Sequence, residues 1–120
     1  MSLDKGNKSI GYRLGRLFAV LVKNQEDANN ASTIRDSYYG AASSTPSVAF
    51  GTLMRLSKNH LSKIGKEKAG LFVVREKLIG EIIDGITDFP SHLPIAEQGR
   101  FAVGYYHQMQ DFYAKKEDKN

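Results

Sequence analysis

Apolar residues recur along this chain at three- and four-residue steps, the period of an α-helix that buries one face. Ile10, Leu14, Leu17, Phe18, Leu21 and Ala28 share one side of a helix predicted from about Ser9 to Ala28, with Arg13, Arg16 and Lys23 on the opposite side. Asn29, Asn30 and Ser32 supply turn and capping chemistry for a second helix, roughly Ser32 to Ala42. Thr45-Pro46 restarts the pattern, a hydroxyl before proline at the first helical position. The third helix reaches about Ile64. Val48, Ala49, Phe50, Leu53, Leu56, Leu61 and Ile64 face inward, and Arg55, Lys58, Asn59, Ser62 and Lys66 line the other side. After a polar connector, Gly65 to Gly70, a fourth helix from Leu71 to Ile86 turns Leu71, Phe72, Leu78, Ile79, Ile82, Ile83 and Ile86 inward. Asp88-Phe89-Pro90 breaks it. Leu93-Pro94 opens a fifth helix to about Tyr113, with Phe101, Ala102, Tyr105, Tyr106, Met109, Phe112 and Tyr113 on one broad face. The tail from Lys115 to Asn120 is charged and expected to fray. Leu71-Phe72-Val73-Val74 alone reads equally as strand, and no repeat is visible. The expectation is an all-α protein, one domain over residues 1–120, built as an antiparallel bundle of about five helices.

Composition narrows the class. With 41% hydrophobic and 25% charged residues the chain is folded and not disordered. The absence of cysteine removes disulfides, thiolate metal sites and a cysteine nucleophile. The longest apolar run, Leu17 to Val22, falls far short of the ~20 residues a membrane span needs, and the first residues lack the apolar core of a secretory signal. These features point to a cytoplasmic protein with no membrane partner.

Charge is unevenly placed. Lys5 to Lys66 holds ten basic residues against three acidic ones (Glu26, Asp27, Asp36), a net of +7, whereas Glu67 to Ala114 nets −3. The first half suits a polyanion, and the competing account is a solvated basic surface. Two basic faces, Arg13/Arg16/Lys23 and Arg55/Lys58/Lys66, each oppose an apolar stripe. If the stripes meet in one core, both faces point outward, where arginine and lysine engage phosphate. The candidate nucleic-acid contacts are Arg13, Arg16, Lys23, Arg35, Arg55, Lys58, Lys63 and Lys66. Arg13 and Arg16 lead because they oppose a clean apolar stripe, and their replacement is expected to leave stability nearly unchanged. Arg35 has a competing role, pairing with Asp36, Glu26 or a partner subunit.

Catalytic chemistry finds no footing. His60 lies within the apolar arc of the third helix and reads as a buried histidine with one hydrogen-bond partner. His107 is expected on the outer face of the last helix beside Arg100 and Asp111, and His92 in the preceding loop. No two histidines have metal-ligand spacing. Glu81 and Asp84 read as a solvated pair, Ser43, Ser44 and Ser47 lack a nucleophile elbow, and Gly11 and Gly15 lack the Lys-Ser/Thr ending of a phosphate loop. No catalytic residue, metal or cofactor is expected. Tyr38, Tyr39, Tyr105 and Tyr106 could stack on bases, but at least one of each adjacent pair should turn toward the core, and core packing is the account set against stacking.

Four segments resemble a known family: Gly11-Tyr12-Arg13-Leu14-Gly15-Arg16-Leu17-Phe18-Ala19-Val20-Leu21, Thr33 to Ser43, Leu56 to Lys63, and Gln98 to Gln108. Together they resemble the C-terminal region of the large subunit of the type I-C CRISPR Cascade complex. In that family this region is also made as a separate small subunit by internal initiation, and a chain from Met1 to Asn120 has the extent of that product. Val22 stands where the family usually has glutamate, and Arg100 where an apolar residue is common. The resemblance implies a non-catalytic subunit that braces the crRNA-carrying backbone and holds the displaced strand of target DNA. Its implied partners are the backbone and large subunits, the crRNA–target DNA heteroduplex, displaced single-stranded DNA and a second copy of itself. Sequence reading by guide pairing leaves such a piece needing only charge and shape. The rivals are a purely structural bridge between protein subunits and a nuclease, the latter lacking its carboxylate cluster.

Overall fold

A computed structural model describes residues 3–118, with side chains described as far as Ala114. The expectation for the tail, Lys115 to Asn120, lies outside the residues described to that level. Helix α1 (Ile10–Asn29) begins where Ser9 Oγ accepts the amide of Tyr12, and ends where Asn30 turns left-handed at φ 54° and returns its amide to Glu26. Gln25 then fastens the next element. Its Oε1 accepts the Ile34 amide at 2.9 Å and its Nε2 donates to Thr33 at 2.7 Å, which satisfies donors at the start of α2 (Thr33–Ser44).

Thr45 joins α2 to α3 (Pro46–Glu67), with proline at the entry as expected. Its hydroxyl, however, donates back to the Ala41 carbonyl at 3.2 Å and closes α2; it does not cap α3. Only Lys68 separates α3 from α4 (Ala69–Ile83), so the polar connector is far shorter than its composition implied. Phe72 seats against Gly65 across that corner. Gly85, at φ 81°, marks the exit from α4, earlier than the apolar pattern indicated. The segment before α5 (Ile95–Asp118) is tied down by Ser47 N–H to Pro90 O and Leu93 N–H to Ser44 O, both at 2.9 Å. Phe89 stacks on Phe50 at 4.9 Å. Among the described residues the elements are helices alone.

Successive helices run up and down. Phe18 meets Tyr39, Asn24 meets Ser57 and Arg75, and Arg13 reaches Ile82. With five elements the first and last therefore run parallel, and the partners along them confirm it: Gly11 with Glu97, Arg16 with Gln108, Lys23 with Tyr113. This pair touches backbone to backbone. A β-carbon at Gly11 would stand 2.8 Å from the Glu97 carbonyl carbon, one at Gly15 2.9 Å from that of Phe101, and one at Gly104 2.9 Å from that of Tyr12, each oxygen nearer still. Only glycine permits such an approach, which favours Cα–H···O contacts.

The core forms around α1. Leu14, Leu17, Phe18, Val20, Leu21 and Val22 are wholly buried, on every side of the helix, because α2, α3, α4 and α5 all pack against it. An aromatic cluster of Phe18, Tyr39, Phe101 and Tyr105, with centroids 5.4–5.8 Å apart, joins α1, α2 and α5. Tyr106 is exposed beside the half-buried Tyr105, whereas Tyr38 and Tyr39 are both half-buried against the core, so only the second tyrosine pair divides. The broad apolar face of α5 divides too: Phe101 and Met109 are buried, but Ala102, Tyr106 and Tyr113 are exposed.

Candidate nucleic-acid interface

The eight cations singled out by sequence form one group on α3 and another on α1, with Arg35 alone on α2. α3 lies on the outside of the bundle and buries Ala49, Phe50, Leu53, Ser57, His60, Leu61 and Ile64. At 100° per residue, Arg55, Lys58 and Lys66 then share the opposite face with Asn59 and Ser62, and all five are exposed. Arg55 reaches only Thr52, at 3.3 Å. Lys63 is exposed at the margin, donating to Asn29 at 2.7 Å. Lys63, Lys66 and Lys68 edge a groove of about 290 Å³ that also includes Asp27 and Glu67. Lys68 belongs to this cluster, and its place beyond the expected end of α3 hid it from the sequence pattern. Glu67 is the only carboxylate on α3.

Helix α1 overturns the expectation made for it. Arg13, Arg16 and Lys23 do not form a wet outer face, because α1 has no side free of neighbours. Arg16 is 5% exposed and its Nε donates to Gln108 at 3.0 Å. Burial pushes its guanidinium below the ordinary value. Arg13 is half-buried and donates to the carbonyl oxygens of Ile82 and Asp84, closing the last turn of α4. Lys23 is half-buried, pairs with Asp27 at 3.1 Å and lies over the Tyr113 ring. Arg35 is exposed and pairs with Asp36 at 3.5 Å, the competing role foreseen for it.

Arg75, which the sequence pattern did not single out, is buried on α4. It donates to Asn24 at 2.9 Å and Asp27 at 2.7 Å, with the Phe112 ring 5.0 Å from its carbon. Asn24 in turn donates to Ser57. The sequence signal for this polar seam is present: Asn24 and Gln25 come just after Lys23 at the end of an apolar run, Leu17 to Val22, that covers all sides of a helix.

The histidines follow their surroundings. His60 is buried as expected, but its Nδ1 has no partner among the described residues, and burial, with Lys63 nearby, pushes its pKa down. His107 is half-buried and not a solvated side chain: its Nδ1 lies 2.8 Å from the Tyr12 hydroxyl. That hydroxyl accepts the Asp4 amide at 2.9 Å, so its own proton is available to His107. Glu97 is held below the usual carboxylate range by the Ser9 hydroxyl and the Gly11 amide, with Arg100 adding to this. Among the described residues, no group of three His, Cys, Asp or Glu side chains is placed to hold a metal, and no helix is long and apolar enough to cross a membrane.

The described residues thus define an all-α bundle with a cationic outer helix. Residues 1–113 match the family of the CRISPR-associated protein Cas_Csd1, and the chain belongs to that family. Among curated proteins, none matches it.

Proposed function

We propose that this chain is the non-catalytic small subunit of a type I-C Cascade complex, working in the cytoplasm. In this reading it braces the crRNA-guided backbone and holds target DNA, the displaced strand of the R-loop, by its phosphates. One observation carries the reading: Arg55, Lys58 and Lys66 stand exposed on one face of α3 with no carboxylate paired to them among the described residues, in a member of a CRISPR-associated family. Phosphate contact needs such cations, and it needs no base-reading motif when pairing with the guide selects the sequence.

The test is binding of unrelated single-stranded DNAs at several salt concentrations. Replacing Arg55, Lys58 and Lys66 by alanine should weaken binding to all of them and flatten the log–log salt slope by roughly 2 units, at about 0.7 per contact. In a rebuilt complex the same variant should lower R-loop yield with guide loading intact. An unchanged slope and yield would favour the second reading, a bridge between protein subunits. That reading has its own support in the outer side of α5, where Val103, Tyr106 and His107 line an apolar groove of about 430 Å³.

A further inference from the structure

A second cationic feature lies away from α3, where the N-terminal segment, α1 and the end of α4 meet. They line an open cavity of about 220 Å³ whose wall includes Lys5, Lys8, Arg13, Arg16, Glu81 and Asp84, four cations against two carboxylates. Its parts are held in place. The Gly6 amide donates to Asp4 and the Ser9 amide to Asn7, which shapes the Lys5–Lys8 segment. Arg13 is fixed to the Ile82 and Asp84 carbonyl oxygens.

Arg16 is the unusual member. It is almost wholly buried, yet among the described residues no carboxylate lies within ion-pair distance of it. Its Nε is taken by Gln108, while its two Nη groups have no hydrogen-bond partner among those residues. Asp111 and Glu81 act on it only through the longer-range field, which Arg13 opposes. Arg16 lines this cavity, where an anion would offset the cost of holding a largely desolvated guanidinium. The planar Nη pair matches two oxygens of a phosphate, and Lys5 and Lys8, both exposed, can close over the remainder.

We propose that this cavity seats one phosphate group, with Arg16 as the buried fork and Lys5 and Lys8 as the closing charges. The site is independent of the α3 reading. A phosphate in a polynucleotide backbone and free inorganic phosphate offer the same chemistry here.

The experiment is a titration of the folded chain with inorganic phosphate at constant ionic strength, followed by amide and arginine NMR signals. Saturable shifts confined to Lys5–Lys8, Arg13 and Arg16 are expected. Lys5→Ala with Lys8→Ala, both solvent-exposed, should weaken binding several-fold without altering the fold. Glu81→Gln, which removes a repelling carboxylate, should tighten it several-fold. Substitution of Arg55, Lys58 and Lys66 should leave the phosphate shifts unchanged, so failure of the α3 reading and failure of this one are distinguishable. Competition between inorganic phosphate and a short single strand would assign the seat to backbone phosphate, and saturable binding without competition would assign it to the free ion. Shifts that do not saturate, or that ignore both the lysine and the Glu81 substitutions, would overturn the proposal.

Discussion

On α1 the basic side chains point into the protein, and on α3 they point away from it. Both helices carry apolar residues at helical spacing opposed by arginine and lysine, and both read as amphipathic with a basic wet face. The difference lies in what fills the remaining positions. α1 contains Leu17-Phe18-Ala19-Val20-Leu21-Val22, six apolar residues in succession that cover its whole circumference, so neighbours must surround it. α3 has no such run; Gly51, Arg55, Asn59 and Ser62 leave one side with nothing to bury. A cation opposite an apolar stripe is therefore a surface group only where the stripe is narrow. On an encircled helix it becomes part of a polar seam, as Arg16 does with Gln108 and Arg75 with Asn24 and Asp27.

The largest effect that separates the two helices comes from one methyl group. Gly15→Ala drives a β-carbon into the Phe101 backbone, and neither parallel helix can retreat without opening the core, so a loss of about 3 kcal/mol or more is expected. Gly51→Ala meets open space on α3 and should stabilise by about 0.5–1 kcal/mol, because alanine loses less backbone freedom in a helix. Urea unfolding of both variants measures the two signs. Equal effects would mean that the α1–α5 contact is looser than described.

Next come the buried arginines. Arg75→Ala leaves the buried Asn24 Oδ1 without its donor, while Asp27 keeps Lys23 as a partner, so a cost of about 1–3 kcal/mol is expected. Arg16→Ala leaves the fully buried Gln108 without its acceptor bond, when its Nε2 already has no partner among the described residues; about 1–3 kcal/mol follows. This reverses the sequence-based expectation that Arg16 is thermodynamically silent. Thermal unfolding of Arg16→Ala within about 0.5 kcal/mol of the native chain would restore it.

The fold was legible in outline because helical periodicity, Ser9, Pro46 and the Leu93-Pro94 break all act locally. What was not legible depends on partners distant in sequence. Gly11 and Gly15, four residues apart, are the spacing of a close helix contact, but only α5 and its Gly104 give it meaning. His107 looked solvated because Tyr12 is 95 residues away. Of the eight cations, Arg55, Lys58, Lys63 and Lys66 were placed correctly as exposed, since the outer face of a peripheral helix follows from its own sequence. Val22 is wholly buried, which suits its apolar character.

His60 tests α3 from its inner side. Burial lowers its folded-state pKa, so below the ordinary value near 6.5 the unfolded chain takes up a proton that the native state resists. Its contribution is complete above that value and is lost as pH falls toward the lowered one. The urea midpoint of the native chain should therefore fall between about pH 7 and pH 5 more steeply than that of His60→Gln. Parallel curves for the two proteins would show that the imidazole is already open to water in the native state.

The smallest expected effect carries the functional comparison. Arg55, Lys58 and Lys66 are exposed and touch little: Arg55 reaches Thr52 on its own helix, and Lys58 and Lys66 make no hydrogen bond among the described residues. Exposed positions of this kind usually tolerate substitution within about 0.5 kcal/mol, and alanine has the higher helix propensity, so each single replacement should leave the unfolding midpoint nearly where it was. The same three changes are the ones expected to flatten the salt dependence of strand binding. A variant that keeps native stability but loses that dependence separates function from folding on α3, which Arg16 on α1 cannot do, because removing it also weakens the core. If the α3 substitutions instead lower stability by more than about 1 kcal/mol each, these side chains hold contacts that exposure alone does not reveal, and the division between an inner structural helix and an outer binding helix fails.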